Sequence, residues 1–285
     1  MGMIRVSCCS FLLSCFLTSL VAQPVAVQGV VLELDADART YQLELDAITA
    51  KELGLESPHR FKVGLGDAEI NYTTRTIRAD AVFYSKQWHL ERIFPVDGAG
   101  AKAMQDTNER LHKSTATMSR RKYVKQGDYI PNFAMIDQDG NFLQIRELQG
   151  KAFVLNFIFT RCTVPTMCPA STNRMSELQK GAKETGLKDL HFVTITFDPE
   201  FDSPGILRQY AKGYGLDLEN FHLLTGTSQV VQDLLRQFGI LTMEEDGTIN
   251  HTMATLLVDD KGRVAFRKEG ASWKAEDFLD AAKKL

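Results

Sequence analysis

The chain has 285 residues, 44% of them hydrophobic, and its 33 basic against 36 acidic side chains leave a formal net charge of −3. That is enough polypeptide for two modest cores, at roughly 150 residues per domain. A charge so nearly balanced gives no electrostatic case for a nucleic-acid partner.

The first 22 residues read as a signal peptide or membrane anchor. An apolar run from Val6 to Ala22 follows Arg5 and ends in small residues, as a secretory leader does. Cleavage is expected after Ala22. Left uncleaved, the run is close to the minimum spanning length and would form a single membrane tether. Cys15 after Leu12-Leu13-Ser14 faintly suggests a lipoprotein site, but the apolar run continues past it. No second stretch is long enough to span a bilayer. The expected location is therefore periplasmic, or on the outer face of the inner membrane.

Residues 27–97 read as a small β-rich domain. Val27–Leu34 and Thr40–Leu45 flank an Asp-Ala-Asp-Ala-Arg turn, and Ala81–Tyr84 and Trp88–Ile93 continue the alternation. A short barrel or sandwich fits. Residues 98–124 turn small and charged, with a helix over Met104–Thr115 and the basic run Arg120-Arg121-Lys122, and read as a solvated, partly helical linker.

Between residues 125 and 285 strands and helices alternate, which predicts an α/β domain. Phe133–Ile145 contains an Asp-Gly turn and reads as a hairpin. The nearly continuous apolar stretch Ala152–Thr160 suits a strand covered on both faces. A helix from Pro169, the strand Leu190–Phe197, a helix opened by Ser203-Pro204 and another over Gln229–Phe238 follow. Ala254–Asp259 and Arg263–Lys268 form a closing hairpin, and Ser272 caps a last helix. This order, with a closing hairpin and helix, is that of a thioredoxin-like domain.

Outside the leader only two of the five cysteines remain, Cys162 and Cys168, where the buried strand hands over to a helix. At a helix N-terminus, amide hydrogens and the dipole favour thiolate, and a fall of about 1.5 pKa units would leave such a thiol about half ionised. Six residues apart in one helix would separate the pair by about 9 Å along the axis, whereas a disulfide needs Cα atoms within about 7 Å. If the pair acts together, the stretch 163–167, with Pro165, folds back as a loop. In a thioredoxin-like topology the loop entering the closing hairpin faces that helix N-terminus, and His251 occupies it where thioredoxins place a proline. Two thiolates and an imidazole suit Cu(I), with zinc as the competitor if a fourth ligand joined.

The stretch Asn156-Phe-Ile-Phe-Thr-Arg-Cys162, the Cys168-Pro169 pair, Thr196-Phe-Asp-Pro-Glu200, Asp202-Ser-Pro204 and Asn250-His251 resemble the Sco/SenC family over about residues 125–285. The resemblance implies an exported, often membrane-tethered, thioredoxin-like protein that binds copper through Cys162, Cys168 and His251. It also implies a role in assembling the copper centre of cytochrome c oxidase, so the expected partners are a copper-accepting oxidase subunit and a thiol reductant. The family usually has three residues between its cysteines, and here there are five. Met167 is a candidate thioether donor, and Asp198 is a candidate to orient the site, or to serve as a turn or cap. The N-terminal unit faintly resembles CusF-like copper barrels, although no methionine occurs between Met3 and Met104; His59, Trp88 and His89 are its candidate ligands.

A metallochaperone is thus the leading expectation. The alternative is a thiol–disulfide oxidoreductase using Cys162 and Cys168 on the cysteines of a copper-accepting protein. The Pro and Thr that precede a peroxidatic cysteine in peroxiredoxins are absent at the corresponding offsets.

Overall fold

The computed structural model describes residues 23–119, 121–245 and 248–285. The leader read over residues 1–22 lies outside them. Among the described residues no helix is long and apolar enough to cross a membrane.

Five strands come first: β1 (Val25–Asp35), β2 (Thr40–Leu45), β3 (His59–Lys62), β4 (Thr76–Tyr84) and β5 (Gln87–Pro95), with a short helix α1 (Ala47–Leu53) between β2 and β3. They close into a barrel in the order β1-β2-β3-β5-β4. Period-2 alternation drives this, sending Val27, Val31, Tyr41, Leu43, Phe61, Ile77, Leu90 and Ile93 to one interior. The Tyr41 hydroxyl contacts the Asp67 and Ile70 carbonyl oxygens at 2.6 Å each, satisfying its one polar group inside. Sequence pattern missed β3 and α1 because both are short. β3 buries one fully enclosed side chain, Phe61, and α1 is set mainly by its ends, Asp46 accepting from the Ile48 and Thr49 amides and Gly54 in the left-handed region.

Helix α2 (Gly98–Ala116) then crosses to the second domain. The expected solvated linker is instead a packed element: Leu111 is 3% exposed within the second domain's core. The Asn108 side chain exchanges two hydrogen bonds with Ala134 (2.8 and 3.0 Å), and His112 meets Asp233 at 3.0 Å. One buried position per turn or so was too sparse to read as a core stripe.

The remaining elements are β6 (Ala134–Ile136), β7 (Phe142–Gln144), β8 (Phe153–Ile158), α3 (Cys168–Glu184), β9 (His191–Thr196), α4 (Pro204–Gly213), β10 (Phe221–Leu224), α5 (Ser228–Phe238), β11 (Thr242–Glu245), β12 (Thr248–His251), β13 (Ala254–Val258), β14 (Val264–Glu269) and α6 (Ala275–Ala282). β6 and β7 pair as the expected hairpin. The main sheet runs β10-β9-β8-β13-β14, with β8, β9 and β10 parallel and β13 antiparallel to β8. This is an α/β, thioredoxin-like domain. All six β8 side chains are buried, because α3, α4 and α6 cover one face of the sheet and α2 and α5 the other. Helix α6 begins at Ala275, with Lys274 rather than Ser272 in the cap position, and Ser203 sits at the α4 cap without a side-chain cap bond.

The barrel is fixed to the second domain by a close backbone approach. A Cβ on Gly66 would collide with the Gly205 carbonyl, and one on Gly205 would strike the backbone and carboxyl of Asp67. Around this contact Glu69 pairs with Arg208 (3.2 Å) and Lys212 (2.6 Å), Arg208 also reaches Asp139, and Arg75 donates to the Gly140 carbonyl at 2.8 Å. Gly66→Ala is expected to push the barrel off α4, read as a larger radius of gyration in small-angle scattering with both domains still folded; an unchanged radius would count against a fixed joint.

Asp67 is 6% exposed, and burial raises its carboxyl pKa to about 7. The folded chain holds a proton that the unfolded chain releases at ordinary carboxyl values, so this residue's contribution to stability falls as pH rises from about 4 to about 7. Asp67→Asn should therefore match the parent melting temperature at pH 4 and exceed it at pH 8, measured by thermal denaturation across that range.

Candidate metal centre

Strand β8 ends at Ile158, and the chain continues through Phe159, Thr160 and Arg161 to Cys162. The five residues to Cys168 fold back as a loop, closed by the Met167 amide donating to the Val164 carbonyl (3.1 Å). Cys168 is the first residue of α3, with Pro169 in the first turn, where its missing N–H removes nothing the helix needs.

Behind this junction lies a buried polar chain. Thr194 on β9 donates to the Asn156 side-chain oxygen at 2.6 Å, and Asn156 donates to Ser171 on α3 at 3.1 Å. A second network holds the loop entry. Asp202, fully buried, accepts from the Thr160 amide (3.1 Å) and from the Thr160 and Thr196 hydroxyls. Asp198 accepts from Arg161 at 2.6 and 2.9 Å, and the Arg161 guanidinium lies 4.6 Å over the Phe201 ring. Asp198 thus holds Arg161 and contacts no donor of the site, and its carbonyl accepts from the Phe201 and Asp202 amides, the turn role that the sequence also offered. The motif residues Thr196, Asp198 and Asp202 were visible in the sequence, but the bonds from Asp202 to Thr160 were not, because they join segments 42 residues apart.

The third donor arrives from the far side of the sheet. β13 pairs antiparallel with β8, Leu256 opposite Leu155 and Val258 opposite Phe153, so the start of β13 lies beside the end of β8. His251 ends β12, just before that start, rather than lying in an open loop. Its Nε2 is 3.5 Å from the Cys168 sulfur. The Cys162 and Cys168 sulfurs and a His251 ring nitrogen all lie within 4.8 Å of one another, and among the described residues no other group of three or more Cys, His, Asp or Glu donors converges this way.

Electrostatics and packing prepare the donors differently. The His251 Nδ1 faces the Thr252 carbonyl at 3.1 Å. A carbonyl only accepts, so Nδ1 carries the proton and Nε2 presents a lone pair to the sulfurs. The ring is clamped between Phe197, 4.4 Å away, and Phe159, 5.9 Å away. Desolvation there lowers the imidazole pKa, the Thr252 bond opposing it, which keeps the ring neutral at neutral pH.

Cys168 departs from expectation. The helix N-terminus was expected to favour its thiolate, yet burial pushes the thiol well above its ordinary value, with the Cys162 sulfur adding to the shift. Backbone amides do act in the expected direction, but the residue is 0% exposed, and loss of hydration outweighs them. Cys162 is only partly buried. Both cysteines are unlinked thiols, so a metal bound by them would displace protons. Two soft sulfurs and an imidazole in a partly apolar pocket fit a thiophilic, low-coordinate ion.

The other sequence candidates fall elsewhere. Met167 holds the position before α3, half-buried. In the barrel, His59 packs edge-on against Phe61 and His89 stacks on Tyr84 at 3.6 Å; Trp88 meets Phe83 at 5.3 Å.

Comparison with known proteins places this domain. The family described as SCO1/SenC matches residues 105–284. The SCO1 protein homolog of Bacillus subtilis is 32% identical over 136 residues, 46% of this chain and 69% of that protein. The crystal structure of a SCO1/SenC family lipoprotein from Bacillus anthracis covers 59% of this chain and 99% of its own, at 31% identity and a TM-score of 0.52. The structure of BsSco, a member of the Sco family of cytochrome c oxidase assembly proteins in which a disulfide switch is identified, matches 57% of this chain and 96% of its own at 28% identity and a TM-score of 0.50. The barrel precedes the matched family stretch.

Removing the Asp202 carboxylate strands three donors at the loop entry, two from half-buried Thr160 and one from buried Thr196. Asp202→Ala is expected to cost on the order of 3 kcal/mol of stability by chemical denaturation, and Asp202→Asn less; equal losses would show that the carboxylate's charge-assisted bonds do not hold the loop.

Proposed function

Because the chain belongs to the SCO1/SenC family, we propose that it is an exported metallochaperone that takes up one copper ion through Cys162, Cys168 and His251 and passes it to a copper-accepting subunit during cytochrome c oxidase assembly. One observation carries this reading: three soft or borderline donors from segments 83 residues apart in sequence converge within 4.8 Å. Copper is cargo here. Cu(I) favours thiolate and imidazole at low coordination number, and the chain offers that set and little else nearby.

The chemistry of exchange follows from exposure. Cys168 forms the inner wall, and Cys162 and His251, each partly exposed, stand toward the solvent. An incoming donor from a partner would approach at Cys162, so copper would move by stepwise replacement of ligands without ever being released to water. Oxidation of the two thiols to a disulfide would consume two of the three donors and abolish tight binding. A thiol reductant is therefore part of the proposed cycle. Export rests on the apolar run of residues 6–22 after Arg5, which if retained would also tether the protein to the membrane.

A second reading, a thiol–disulfide oxidoreductase, draws on the same asymmetry. An accessible Cys162 in front of a buried Cys168 is the arrangement of an attacking thiol and a resolving one. Copper binding ranks first because that chemistry gives His251 no role, whereas its bare Nε2 is turned toward the sulfurs.

His251→Ala separates the two. In anaerobic Cu(I) titration against a competing chelator, the reduced parent should bind one equivalent, the variant should bind about 100-fold more weakly or worse, and the disulfide form should not compete. Disulfide exchange with a small-molecule disulfide should survive the substitution. Unchanged copper affinity in the variant would overturn the three-donor site.

A further inference from the structure

Strand β1 begins beside the tip of the β4–β5 hairpin. Val25 pairs with Ala81 in an antiparallel register, so the chain leading back to Gln23 runs toward Phe83 and Tyr84, and Pro24 lines the same cleft as Tyr84, Gln87 and His89. Immediately before Gln23 lies the apolar run of residues 6–22. We propose that the tip of this hairpin beds in the headgroup layer of the membrane that holds that run, seating the barrel on the bilayer. The inference rests on the reading of the leader as a retained tether and adds where the folded chain meets the membrane.

Three observations support it. First, the tip is aromatic and open: Phe83 and Tyr84 are 44% and 43% exposed. Phe83 stands opposite Trp88 in the β4–β5 ladder, their rings 5.3 Å apart and edge-on, and Tyr84 stacks on His89 at 3.6 Å. The two pairs occupy opposite faces of the hairpin, so rings project on both sides of it. Trp and Tyr concentrate at membrane–water interfaces, which accommodate an apolar ring and a polar edge together. A lone exposed ring means little, whereas a contiguous set marks a surface that something covers.

Second, the tip points the right way and has little slack. Past Phe83 the hairpin continues through Tyr84, Ser85 and Lys86 in the direction from which β1 arrives. Only Gln23 and Pro24 separate the apolar run from β1, a reach of at most about 7 Å. That is about the depth of the polar layer on each side of the hydrocarbon core, so a bilayer holding residues 6–22 lies directly in front of the tip. Third, the turn has kept its side chains at a conformational cost. Ser85 and Lys86 both adopt left-handed backbone, with φ of 51° and 63°, where a two-residue hairpin turn ordinarily carries asparagine and glycine. Glycine would relieve that strain. The turn instead presents an exposed hydroxyl and an exposed ammonium, donors that the phosphate and carbonyl oxygens of lipid headgroups accept from.

The test reconstitutes the full chain, leader included, into vesicles of phosphatidylethanolamine and phosphatidylglycerol, with and without lipid brominated high on its acyl chains, a short-range quencher of tryptophan emission. The chain has two tryptophans and Trp273 is only 3% exposed, within the second domain, so quenching reads Trp88. Expected is a loss of up to about half of the emission, cut at least about threefold by Phe83→Ser with Tyr84→Ser, at little-changed melting temperature and Cu(I) affinity. Should that pair perturb the barrel, Lys86→Glu at the exposed turn is read instead, with weaker quenching expected. Vesicle-bound chain whose Trp88 is unquenched, or is quenched equally in the variant, overturns the proposal and leaves the tether intact. Failure of the full chain to float with vesicles overturns the tether reading separately. Shielding of Trp88 that rises with protein concentration in detergent alone would assign the tip to a second copy of the chain and also overturns the proposal.

Discussion

The antiparallel pairing of β13 on β8 is the constraint on which the rest of this molecule depends. β8 delivers Cys162 at its outgoing end, and β13 begins at that same end because the two strands run in opposite directions, Leu256 opposite Leu155. The residue that precedes β13 must therefore come near the residue that follows β8. Had β13 run parallel, His251 would lie at the other end of the sheet. Six fully buried β8 side chains fix the register against a one-residue slip, which would turn the polar Asn156 and its apolar neighbours to the wrong faces.

Around that pairing a cluster of buried polar groups holds the short segment between β8 and α3. Asn156, Ser171 and Thr194 tie the strand to the helix, and Asp202 ties Thr160 to the end of β9. Such networks are strong when complete and costly when broken. Their placement fixes both ends of the five-residue loop between the cysteines. Loop closure costs little extra at this length.

The two domains meet at a glycine-on-glycine contact flanked by ion pairs, and half-exposed ion pairs of this kind contribute little individually. Shape is the stronger term: the backbones at Gly66 and Gly205 approach as only residues without a Cβ can. The barrel thereby becomes a packed neighbour of α4 instead of a separate bead on a linker, and the packing of α2 on the second domain completes the attachment.

Most of the longer elements, the α/β class of the second domain and the candidate donors Cys162, Cys168 and His251 were legible in the sequence by itself. The unbroken apolar run of β8, the Cys168-Pro169 helix start and the Asn250-His251 pair are local patterns, and local patterns survive without coordinates. Elements of four to seven residues, β3 and α1, carry too few positions to show a period. The ionisation of Cys168 was misread for a related reason. A helix N-terminus is legible in a sequence, whereas burial is a sum over neighbours brought from β9, α4 and the β12–β13 junction, and here that sum reverses the sign. Only the tertiary structure decided how deeply each thiol lies, which imidazole nitrogen faces them and that the barrel docks on α4, because each of these follows from contacts between segments remote along the chain, whose energies no local pattern records.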